Sequence, residues 1–145
     1  MDDWEFTSQG GVLLVPGGFW KKLGEDSVQC TFEDSFNCAA INPNRQIGTA
    51  TKTYHLTEPR NLRAVIISRL EASRPGYDYG EVRVDGLVLV SDSSELNGPD
   101  CGMENRVADR NINLGAGDHT IKILTDTLDE LNHAGCFLEF HLFFM

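Results

Sequence analysis

Asp85-Gly86 separates two runs that are rich in β-branched and aliphatic residues, Glu81-Val82-Arg83-Val84 before it and Leu87-Val88-Leu89-Val90 after it. A two-residue type I′ turn needs positive φ at both central positions, and Asp-Gly supplies them with the twist that paired strands require. The register this implies sets Val84 opposite Leu87 and Val82 opposite Leu89 on one face. An antiparallel hairpin near the middle of the chain commits its neighbours to continuing a sheet, because a lone hairpin is marginal in water.

The rest of the chain follows suit. Val12–Val15 is a short apolar run closed by Pro16-Gly17-Gly18. In Ser27–Phe32, Val28, Cys30 and Phe32 share one face and Ser27, Gln29 and Thr31 the other, which is the pattern of a half-buried strand. Phe36 to Ile47 contains Asn42-Pro43-Asn44 and reads as a long loop. Lys52–Leu56 and Leu62–Ala72 read as strands, and the continuous Val65-Ile66-Ile67 predicts cover on both faces of the second. Ser91–Val107, rich in Ser, Asp, Asn and Gly, reads as an exposed loop. A second hairpin is predicted from Asn111–Leu114, the link Gly115-Ala116-Gly117-Asp118, and His119–Thr125, followed by a short helical turn within Thr125–Asn132. In Cys136–Phe144, Leu138, Phe140, Leu142 and Phe144 point one way and Phe137, Glu139, His141 and Phe143 the other. The sum is about eight strands with long loops, an all-β, single-domain antiparallel β-sandwich of jelly-roll type spanning residues 1–145. Residues 1–25 are expected to dock on the sandwich or on a partner, and the outward Phe137 and Phe143 to be covered by that segment or by another subunit.

Charge and motifs narrow the function. The 22 acidic residues outweigh the 12 basic ones, a net −10, so the electrostatic footprint demanded by a phosphate backbone is missing and nucleic acid is not an expected partner. Apolar stretches fall far short of the roughly 20 residues that cross a bilayer, so no membrane partner is expected. The start, Met1-Asp2-Asp3-Trp4-Glu5, has the wrong charge for a secretory signal and reads as a protein made in a cytoplasm. Cys30, Cys38, Cys101 and Cys136 form no C-x-x-C pair and read as reduced, buried thiols, although Cys30 and Cys38 lie close enough to bridge a short loop in an extracellular protein.

No nucleophile elbow, zinc-protease helix motif, Walker loop or dinucleotide fingerprint occurs, so no catalytic residue and no cofactor are expected. His55, His119, His133 and His141 do not converge by spacing, and His119 reads as a structural residue capping its turn or reaching a nearby carbonyl. Asp92, Glu95, Asp100 and Glu104, and again Asp126, Asp129 and Glu130, are acidic enough for calcium but lack the spacing of a calcium loop; a solvated surface is the plainer reading.

The segment Val82-Arg83-Val84-Asp85-Gly86, followed by Asn113-Leu114-Gly115-Ala116-Gly117-Asp118-His119-Thr120-Ile121-Lys122-Ile123, resembles the back half of carbohydrate-binding-module and galactose-binding-like β-sandwiches. It is also similar to jelly rolls of virion surfaces, including bacteriophage capsid decoration and tail-fibre proteins. The resemblance runs from about Glu81 to Phe144 and implies architecture more than ligand.

Aromatic rings on loops are the residues with which a sandwich holds sugars or partners, since a ring face stacks on a pyranose and Trp is enriched at protein interfaces. Trp4, Phe19, Trp20, Tyr77, Asp78 and Tyr79 are the candidates, with Tyr77-Asp78-Tyr79 read as a displayed tip between Gly76 and Gly80. The favoured expectation is a non-catalytic virion surface protein, a capsid decoration or cement protein, that contacts other capsid or tail proteins and copies of itself. The alternative is a carbohydrate-binding module or tail adhesin that recognises a surface glycan.

Overall fold

The structure, a computed structural model, describes residues 3–9, 20–32, 47–71, 79–93, 103–126 and 136–145. All regular structure among them is β. The strands are β1 (Glu5–Gln9), β2 (Trp20–Gly24), β3 (Ser27–Phe32), β4 (Ile47–Leu56), β5 (Arg60–Glu71), β6 (Tyr79–Val84), β7 (Leu87–Ser93), β8 (Met103–Leu114), β9 (Gly117–Asp126) and β10 (Cys136–Phe144). They form two antiparallel five-stranded sheets, β1-β4-β9-β6-β7 and β2-β3-β10-β5-β8, that face each other as a sandwich. The expected β-sandwich is therefore present, with ten strands among the described residues rather than about eight.

The core follows the two-residue period of the strands. Val28 and Cys30 from β3, Leu62, Ala64 and Ile66 from β5, Val82 from β6, Ile121 and Ile123 from β9, and Leu138 and Phe140 from β10 are fully buried between the sheets. Each of the larger aliphatic side chains contributes about 1.5–3 kcal/mol by leaving water. Gly80 permits the close packing of β6, since a Cβ there would come within 3.1 Å of Leu138 Cδ2 and 3.2 Å of Phe140 Cζ.

The Asp85-Gly86 turn has φ of 50° and 86° and places Val84 opposite Leu87 as expected. The pairing of Val82 with Leu89 is not found. A bulge between Val82 and Arg83 sets Val82 against Val90, leaving Leu89 as the extra residue. The slip returns Val90 and Asp92 to the buried face, while Leu87 and Val88 stay exposed at the edge.

The second expected hairpin is also corrected. β8 pairs with β5 and β9 with β4 and β6, so Gly115-Ala116 carries the chain from one sheet to the other instead of joining partners. Ile67 is 40% exposed while Val65 on the same face is buried, so the outer face of β5 is covered only in part, short of the full cover expected. The expected loop Ser91–Val107 is shorter at both ends, since β7 runs to Ser93 and β8 begins at Met103. β4 likewise starts at Ile47, before Lys52. The run Val12–Val15 and the helical turn after Asp126 lie outside the described residues.

Glu5–Gln9 becomes an edge strand of the first sheet and Trp20–Gly24 an edge strand of the second. β2 extends its sheet in plane, so among the described residues no N-terminal chain overlies Phe143, which is 48% exposed.

Strand direction separates two ends. At one, β2–β3, β6–β7 and β8–β9 are joined by short turns, and the last residue of the chain pairs with Asn61. At the other, the register aligns Gln9, Ile47, Asp126, Tyr79 and Ser93 across the first sheet and Cys136 with Phe32 in the second. These are the strand ends from which residues 10–19, 33–46, 72–78, 94–102 and 127–135 lead.

Candidate functional site

At the short-turn end, β4 carries Ala50, Lys52 and Tyr54 on its inward face, where the apolar core gives way to polar groups. Lys52 is 4% exposed. Such an ammonium is tolerable only if it is bonded. Its Nζ donates to the Glu25 carbonyl at 2.8 Å, lies 3.8 Å from Asp26 Oδ1, and sits 4.9 Å from the centre of the Tyr54 ring and 5.8 Å from that of Trp4. Trp4 Nε1 donates to the same carbonyl at 2.9 Å. The β2–β3 turn is thus pinned by two donors from below.

Tyr54 Oη donates to Asp26 Oδ1 at 2.8 Å. Burial, and then the carboxylates of Asp26 and Glu25, push the Tyr54 phenol far above its ordinary value, so it stays a neutral donor. Its ring packs on Phe144, with centroids 4.7 Å apart and planes tilted by 44°. Beside it, His55 Nδ1 meets Asp118 Oδ1. Glu25, Asp26, Lys52, Thr53, Tyr54, His55 and Phe144 enclose a cleft of about 400 Å³. That lies within the size range of small-ligand sites, which combine ring or aliphatic faces with a few fixed polar groups. The cleft offers two aromatic surfaces, a carboxylate acceptor and the His55 imidazole, which Asp118 holds from outside the lining.

The sequence-derived candidates among the described residues fall elsewhere or serve packing. Trp4 is 7% exposed and belongs to the core. Trp20 is half-buried near the opposite end, where it stacks on Phe6 at 5.5 Å and 19° and donates to Thr7 O at 2.9 Å, joining the edge strands of the two sheets. Tyr79 opens β6 as a half-buried strand residue instead of occupying a loop tip, and burial raises its phenol pKa. Phe19, Tyr77 and Asp78 lie outside the described residues. Trp20 and Tyr79 share the same end of the sandwich, and Trp4 does not.

Among the described residues no group of three or more His, Cys, Asp or Glu side chains could hold a metal ion. Asp92, one of the residues weighed for calcium, accepts instead from Arg106 Nε at 2.7 Å and from the Ser93 amide at 3.0 Å. Cys30 is free and buried, as read; the disposition of the other cysteine side chains lies outside the described residues.

Lys52, Tyr54 and Asp26 were missed in the sequence. The available signal was the strict alternation Thr49, Thr51, Thr53 against Ala50, Lys52, Tyr54, which puts a lysine on an apolar face.

No protein-family model matches the sequence, nor does any curated protein. The fold is similar to solved sandwiches. A family 35 carbohydrate-binding module from an environmental isolate matches with a TM-score of 0.44 and 12% identity over 95% of this chain and 85% of its own. The TmCBM61 module solved with β-1,4-galactotriose matches with a TM-score of 0.42 and 15% identity over 97% and 87%. A β-glucosidase from Kluyveromyces marxianus matches with a TM-score of 0.43 and 13% identity over 68% of this chain, which spans only 10% of that enzyme. These likenesses concern β-sandwich architecture and carry no argument about ligand or activity.

Proposed function

We propose that the chain is a non-catalytic binding domain whose ligand is a glycan seated in the short-turn cleft. The observation that supports this is the meeting of the Tyr54 and Phe144 rings with the Asp26 carboxylate and the His55 imidazole in one open cavity. Sugars present an apolar C–H face and a rim of hydroxyls that both donate and accept, and this lining matches both. The glycan reading, the alternative at the level of sequence, is thereby preferred to the decoration-protein reading. A glycan microarray probed with the wild-type chain and with Asp26→Ala and His55→Ala tests it. His55 is exposed, so loss of signal in His55→Ala at an unchanged melting temperature supports the cleft; Asp26→Ala, which also removes a partner of Tyr54 and Lys52, is read beside its own melting temperature, and undiminished signal in both variants counts against the cleft.

A second reading, contact with other virion proteins or with another copy of the chain, is favoured by Ile67, Val107 and Phe143. They stand exposed on the outer face of the second sheet. Light scattering across a concentration range tests the self-association part.

A further inference from the structure

The cleft on Tyr54 does not end at Phe144. A second cavity of about 430 Å³ lies against Asp26, Arg63, Phe143, Phe144 and Met145, so the two cavities have Asp26 and Phe144 in common. The shared lip is fixed by backbone bonds: Leu142 N donates to Asp26 O at 2.9 Å, and Met145 and Asn61 exchange bonds of 2.8 and 3.1 Å. Fixed spacing between adjoining cavities is what the repeat of a chain-like ligand requires, and a preorganised lip lowers the ordering cost of binding.

Chemistry differs on the two sides of the lip. The inner cavity has the Tyr54 ring, the Asp26 carboxylate and Lys52, whose ammonium is already held by Glu25 O. The outer one has the exposed Phe143 ring and the Arg63 guanidinium, which donates through Nε and Nη2 to Asp109 Oδ2. Each cation is thus compensated by protein oxygen, and each cavity borders a carboxylate. The whole chain carries −10. An anionic sugar would find Lys52 and Arg63 already engaged by Glu25 O, Asp26 and Asp109, with the Asp26 carboxylate at the junction, whereas a hydroxyl can donate to a carboxylate and accept from a guanidinium.

Resting on the glycan reading above, we infer that the two cavities are adjoining subsites for a neutral, linear oligosaccharide of at least two sugar units, with Asp26 and Phe144 at the junction. Arg63 and Phe143 are then the residues that select chain length.

Calorimetric titration of the full chain tests this. The probes are galactose, glucose, mannose and xylose, the β-1,4-linked di- and trisaccharides of each, and trigalacturonate. Affinity is expected to rise about tenfold or more from monosaccharide to trisaccharide in at least one neutral series. Arg63→Ala and Phe143→Ala are expected to cancel that rise, bringing trisaccharide affinity down to that of the monosaccharide, with melting temperatures confirming that each variant is folded. A monosaccharide that binds as tightly as its trisaccharide and depends on Asp26 would overturn the two-subsite inference and leave the glycan reading standing. Tighter binding of trigalacturonate would overturn the neutral specificity. Binding by no member of the panel would remove the glycan reading and the inference with it.

Discussion

His119 Nδ1 lies 2.7 Å from Asp85 Oδ2, and the Nε2 of the same ring lies 2.8 Å from Gly115 O. Both ring nitrogens face acceptors, so the doubly protonated imidazolium donates twice. Asp85 Oδ1 also accepts from Thr120 N at 2.8 Å. The arrangement ties the β6–β7 turn to β9 and to the link arriving from the other sheet. Hydrogen bonding to Asp85, and then to Gly115, holds the His119 pKa above its ordinary 6.5, and the His119 bond holds Asp85 below 3.8.

A raised histidine contributes fully below its unfolded pKa and loses its contribution as pH rises through the folded value. A depressed aspartate contributes above its unfolded pKa and loses it as pH falls through the folded value. The clip is therefore strongest between about pH 4 and 6.5. His119→Gln is expected to cost about 0.2–1 kcal/mol in that window and less at pH 9, as read from urea midpoints. An equal cost at both pH values would mean that the proton has no part in the clip.

Packing against β10 gives a second expectation. Gly80→Ala places a methyl group 3.1 Å from Leu138 and 3.2 Å from Phe140, both fully buried. The strain should cost about 1–3 kcal/mol in chemical denaturation, as overpacking does.

The Asp92 carboxylate is 4% exposed and its strongest donor is Arg106 Nε. Arg106→Ala leaves that charge, among the described residues, with the Ser93 amide and the Ser68 hydroxyl as donors. The expected loss is about 1.5–3 kcal/mol, and Asp92→Asn in the same chain should recover part of it. Full additivity of the two changes would contradict the pairing.

Cys30 is fully buried, with Sγ 3.3 Å from Thr125 Oγ1, and burial pushes its thiol well above the ordinary 9.0. The peptide bearing Cys30 should resist iodoacetamide at pH 8 in the folded protein and react once urea unfolds it, as followed by mass spectrometry. Rapid labelling of the native chain would show that the site opens.

What the sequence revealed tracks how local each interaction is. The Asp85-Gly86 turn and the alternation of β10 are written in neighbouring residues, and both are present. Pairings decided across the sandwich were illegible: Leu114 to Gly117 has the residues of a hairpin link, yet β8 finds β5 and β9 finds β4 because both then bury their apolar faces. β1 and β2 were overlooked because edge strands need only one partner and carry few β-branched residues. The cleft was missed for a related reason. Its parts come from a turn, an inner strand and the last strand, and only the sheet register brings Asp26, Tyr54 and Phe144 together.

The most direct measurement is a titration of the isotopically labelled chain with a neutral β-1,4-linked trisaccharide, following backbone amide resonances residue by residue. Glycan binding at the short-turn cleft predicts saturable shifts concentrated at Glu25, Asp26, Tyr54, His55, Phe144 and Met145, with Trp20 and Tyr79 unmoved. Shifts centred on Trp20 and Tyr79 would place the ligand at the opposite end of the sandwich, and a spectrum unchanged by every neutral glycan of the panel would contradict the proposed function.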